Sequence, residues 1–191
     1  MAYNNRGYMS EELLIQCASP TLAGLKAGNL FSVEFAGKAD MQDSIRKINK
    51  ILVPKGLRMI PICEQGKRTL VYLFRPSAVK KALAGDKARE ILNRCGYHDG
   101  TMEQQLVSLI GRMRRKEDFP HEIGLFLGYP PEDVEGFIKN RSKNAKCTGT
   151  WKVYGDEEKA RCLFQKYRHC TDVYSRQWKK GIQLEKLIVP V

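Results

Sequence analysis

The residues best equipped by type to do chemistry are Cys17, Lys26, His121 and Glu122: a thiol, an amine, an imidazole and a carboxylate. Cys17 stands just before Ser19-Pro20, a pair that reads as the start of a helix. A helix amino terminus lowers the pKa of a nearby thiol and supplies thiolate as a nucleophile. His121-Glu122 begins like the H-E-x-x-H zinc helix, but the fifth residue is Leu125, so the second ligand is missing and that motif is excluded. Cys162, His169 and Cys170 show neither C-x-x-C nor i,i+4 ligand spacing, and no metal is expected. Ser44 to Lys47 and Ser77 to Lys80 both match S-x-x-K but lack the companion S-D-N and K-T-G elements. With no Walker loop and no G-x-G-x-x-G, no cofactor is expected either. A thiol-dependent enzyme centred on Cys17 therefore needs the fold to gather four residues that the sequence keeps far apart.

Charge is the second resource. The chain has 191 residues, with 33 Lys and Arg against 21 Asp and Glu, and a net charge of +12. Such an excess steers acidic partners, whether acidic proteins or nucleic acids. The clusters nearest a defined motif are Arg112, Arg114, Arg115 and Lys116 on one side of the segment 119–140, and Lys139, Arg141 and Lys143 at its end. The leading expectation is a non-catalytic binding module that docks an acidic macromolecule through these cations. Nucleic-acid binding through 119–140 is the alternative, and Glu132, Asp133 and Glu135 speak against it, because carboxylates there would face phosphates.

The segment FPHEIGLFLGYPPEDVEGFIKN (119–140) spells two short apolar helices hinged at Gly128 to Pro131, a helix-turn-helix-like hairpin. Gly124 lets the second helix cross closely, Gly128 suits a left-handed helix end, and Pro131 suits a first turn. Elsewhere, Ser10 caps a helix through Gln16, and Ser19-Pro20 opens a second that stops at Gly28. Strands are expected at 29–35, 57–64 and 69–75, the last two forming a hairpin in which Pro61 marks an edge or bulge. Helices are expected at 41–52, 77–84, 86–95 and 101–116. TWKVYG reads as another strand, followed by a long helix whose stripe runs Ala160, Leu163, Phe164, Tyr167, Thr171, Tyr174 and Trp178, and then a last strand near the end. The sum is one α+β domain over 1–191. It has a small mixed or antiparallel sheet of about four strands packed by amphipathic helices, and a helical insert at about 97–146.

Six cysteines without C-x-x-C spacing read as reduced thiols. With no signal-like apolar core and no membrane-length apolar run, a cytoplasmic protein with no membrane partner is expected.

The blocks CASPTLAGLKAGNLF (17–31), LVYLFR (70–75), FPHEIGLFLGYPPEDVEGFI (119–138) and GTWKVYGDEEKARCLFQKY (149–167) resemble a bacterial family of clostridia and their anaerobic relatives, domain of unknown function 3793. The resemblance spans nearly the whole chain. It implies an intracellular single-domain protein, and it brings no activity, ligand or catalytic residue to carry over. It also implies flavodoxin-like and iron-related neighbours. An acidic flavodoxin-like redox protein would suit this basic chain as a partner.

Overall fold

TLVYLF has no polar alternation after its threonine, the pattern of a strand covered on both faces. The computed structural model, which describes residues 9–115 and 119–190, places this run at the centre of the sheet. The chain begins with helix α1 (Glu11–Leu22), strand β1 (Gly28–Glu34) and helix α2 (Lys38–Leu52), then a single 3-10 turn. Strands β2 (Arg58–Gln65) and β3 (Arg68–Phe74) form the expected hairpin. Helices α3 (Pro76–Leu83), α4 (Asp86–Arg94), α5 (Met102–Arg114), α6 (Ile123–Phe126) and α7 (Pro131–Asn140) follow. A two-residue ladder pairs β4 (Cys147–Thr148) with β5 (Lys152–Val153), ahead of α8 (Glu157–Lys179) and α9 (Leu184–Leu187).

The three main strands are antiparallel in the order β1-β3-β2. Because strand side chains alternate, β3 sends Val71 and Leu73 to one face and Tyr72 and Phe74 to the other. The first face packs on α1, α2 and α9 through Leu14, Ile48 and Leu184, and the second on α3 to α7 through Val79, Leu109 and Phe126. Each such side chain contributes about 1.5–3 kcal/mol when fully buried. Pro61 sits on edge strand β2, where the register slips between Pro61 and Cys63. The α+β class is thus as expected, with a three-stranded antiparallel sheet and a small second sheet.

Two local expectations are corrected. Ser19-Pro20 does not open a second helix, because α1 runs on to Leu22 with Pro20 in its last turn. There the missing N–H removes one helical bond, and the Ser19 hydroxyl donates back to the Ile15 carbonyl. The helix ends at Gly24, whose φ of 78° is left-handed. The carboxyl-terminal stretch forms the short α9 in place of a strand, and Val189 is then tied to α1 through its N–H to the Leu22 carbonyl, 3.1 Å away. Arg75 completes this clasp. Its buried guanidinium donates to the carbonyls of Thr21, Leu22 and Val189, each at 2.7 Å.

Candidate functional site

Cys17 lies inside α1, one turn before its end, and not at a helix amino terminus. Burial raises its thiol pKa, the opposite of the activation its sequence context suggested. Glu122 does not cap a helix with its side chain. At 3% exposure it lies in the interior, where it accepts from the Tyr97 hydroxyl at 3.1 Å and pairs with Arg112 Nε at 3.0 Å. His121 is exposed, its ring against Phe119 and, edge-on at 4.8 Å, against Phe137. The four chemical candidates therefore do not converge. Cys17 and Lys26 share one pocket, His121 lines another, and Glu122 is engaged in an ion pair.

Three of the basic candidates around 119–140 are committed. Arg112 holds Glu122, Arg114 donates to the Ile62 carbonyl at 3.0 Å, and Lys139 pairs with Glu135 at 2.9 Å. Arg115, Arg141 and Lys143 are exposed, and Lys116 lies outside the described residues. Glu135 gathers Arg94 at 2.6 Å and Lys87 at 3.4 Å besides Lys139. Hydrogen bonds from Arg94 and Lys139 outweigh desolvation and hold its carboxyl down to about 2. Two glycines of the hairpin act as their positions suggest: Gly128 has φ 79°, and a Cβ on Gly124 would lie 2.8 Å from Val134 Cγ2.

One of the acids that speak against nucleic-acid binding in the sequence has a structural role. Asp133 is 2% exposed. Its carboxylate accepts from Trp151 Nε1, Tyr154 N and Gly155 N, all at 2.7 Å, and so clamps the β4–β5 hairpin to α7. The clamp sets Trp151 against Tyr129 (centroids 4.7 Å apart, stacked) and Phe164 (4.5 Å, edge-on). A cavity of about 370 Å³ opens beside them, lined by Leu30, Phe119, His121, Phe137 and Trp151 among others. No local motif announces this aromatic nest, because its rings come from three separate segments.

Behind Trp151 lies a second cavity of about 270 Å³, between α1, the β4–β5 loop and α8. Gly149 and Thr150 line both cavities. A Cβ on Gly149 would lie 2.2 Å from the Phe164 ring, so only glycine permits this loop to rest on α8. Lys26 lines the second cavity and is 6% exposed. Its ammonium sits 5.2 Å from the centre of the Tyr129 ring, and among the described residues no carboxylate pairs with it and no acceptor takes its protons. Desolvation lowers its pKa to about 8. Burial pushes Tyr129 in the opposite direction, up to about 12.

Outside this cavity runs the solvent face of α8. Between Lys166 and Lys180 it carries Lys166, Arg168, Arg176, Lys179 and Lys180 against the single carboxylate of Asp172, all exposed. Among the described residues none of these cations has an ion-pair partner. The apolar stripe of α8 faces inward as its periodicity predicts, with Ala160, Tyr167 and Cys170 buried.

A family model for a protein of unknown function, DUF3793, matches residues 14–188, and the chain belongs to that family. No curated protein and no solved structure matches it. No helix among the described residues is long and apolar enough to cross a membrane.

Proposed function

We propose that this protein is a non-catalytic binding module whose docking surface for an acidic macromolecule is the outer face of α8. One observation carries the reading: five exposed cations to one carboxylate from Lys166 to Lys180, with no ion pair among them. Charges left unpaired on a rigid helix keep their field available to a partner, whereas Arg112, Arg94 and Lys139 beside the 119–140 hairpin spend theirs on Glu122 and Glu135. An acidic protein, of which a flavodoxin-like redox protein is the type, is favoured over nucleic acid. The first turn of α7 is acidic, and Asp133 and Glu135 fix that helix to its neighbours.

The test is a fluorescence titration with two probes, an acidic flavodoxin and a random-sequence DNA duplex, at rising salt. The wild type is compared with a Lys166→Glu, Arg176→Glu, Lys179→Glu triple variant. Salt-sensitive flavodoxin binding that the triple variant weakens at least about tenfold is the expected result. Tighter binding of the duplex, with a steep salt slope lost in the same variant, transfers the surface to nucleic acid and overturns the acidic-protein reading. Failure to bind either probe at low salt removes the docking role.

A further inference from the structure

Lys26 is a buried cation to which the fold supplies no anion. Desolvating an ammonium without a partner costs stability, and a polar group so placed signals a missing ligand. The cavity it lines contains no carboxylate. Its other polar groups are chiefly donors or already bonded. The Arg168 guanidinium stands at the α8 wall without an ion pair. Thr171 donates to the Tyr167 carbonyl at 3.1 Å, and the Asn29 amide donates to the Cys17 carbonyl at 2.8 Å while its oxygen accepts from Thr21. Pro20, Phe164 and Tyr167 supply apolar walls. At about 270 Å³ the space exceeds what a bare oxyanion fills and falls short of drug-sized sites, which begin at about 300 Å³.

We infer that the cavity between α1, the β4–β5 loop and α8 is a binding site for a small organic oxyanion, with Lys26 as its counter-ion and Arg168 as a second donor. A carboxylate on a short apolar body suits the walls better than phosphate. This site borders the docking face of α8 and shares Arg168 with it, whereas Lys26 lies in the interior. The ligand's charge is neutralised inside, and the Trp151 ring lies across the shared Gly149-Thr150 loop, so occupancy is readable by tryptophan fluorescence.

Benzoate, acetate and inorganic phosphate are the probes, titrated by calorimetry and thermal shift on the full chain. The wild type, Lys26→Met, Lys26→Arg and Arg168→Ala are compared. Benzoate binding that Lys26→Met weakens at least about tenfold, and Lys26→Arg partly restores, supports the site, whereas acetate or phosphate binding more tightly than benzoate overturns the assignment to an organic oxyanion. Melting temperatures without ligand show that each variant is folded. Affinity should fall as pH rises through about 8, because Lys26 loses its proton there. The other groups facing it are Cys17 from α1, Tyr129 from the α6–α7 turn, and Tyr167 and Arg168 from α8. Cys17 and both tyrosines have raised pKa values and stay neutral across that window. Benzoate and phosphate binding that is absent, or equal in wild type and Lys26→Met, overturns the inference. Either result leaves the α8 docking test untouched, since the triple charge reversal spares Lys26 and Arg168.

Discussion

The α7 side and the α8 side of this molecule treat charge in opposite ways. Around α7, among the described residues, the carboxylates that meet neighbouring elements are answered, and exposed Glu132 alone of that helix is not: Glu135 by three cations, Glu122 by Arg112 and Tyr97, and Asp133 by three N–H donors. Around the second half of α8, Lys26 is buried without an anion, and from Lys166 to Lys180 five exposed cations stand beside one acid. The first arrangement is what a fold does for itself. The second leaves an electrostatic deficit that only something outside the chain can fill, so the location of unpaired charge, more than its total, points to function.

Breaking the comparison on the α7 side should have the largest effect. Asp133→Ala leaves one buried and two half-buried donors unpaired and should cost about 3 kcal/mol in urea unfolding. The Trp151 emission should shift red as the β4–β5 hairpin detaches, and an unchanged midpoint would mean the clamp is not structural.

The Glu135 cluster sharpens the contrast through pH. A carboxyl held near 2 in the folded chain and near its ordinary value in the unfolded one stabilises the fold fully above the ordinary range. That contribution disappears as pH falls toward 2. For so solvated a cluster it is about 1 kcal/mol, and Glu135→Gln should flatten this part of the stability profile. The smallest effect belongs to the α8 face. Reversing Lys166, Arg176 and Lys179 should move stability by less than about 0.5 kcal/mol per site while changing partner binding most.

Much of this frame is legible from residue order alone. The hairpin of β2 and β3, the Ser10 cap, the amphipathic α2 and α8 and the Gly124 crossing are local signals written within a few residues of where they act. What escaped is non-local. Pro20 looked like a helix start because Ser-Pro is common there, yet the last turn of a helix tolerates it equally. Asp133 and Trp151 meet across a separation of 18 residues, with no period to announce the pairing. Lys26 follows Gly24 and an exposed Leu25, a setting that reads as a solvent loop. Its burial is decided by Tyr129 and by Tyr167, whose hydroxyl meets the Leu25 carbonyl at 3.4 Å from 142 residues away. The total charge was readable at once, but which cations the fold would neutralise was not.

The sign of a single stability change tests this account most directly. A lysine interred without an anion should make the empty protein less stable than its apolar counterpart, so Lys26→Met should raise the urea midpoint at pH 7, with a gain of about 1–2 kcal/mol in unfolding free energy. A lowered midpoint would show that Lys26 serves the fold itself, and would contradict the claim that the α8 side holds charge in reserve for a ligand.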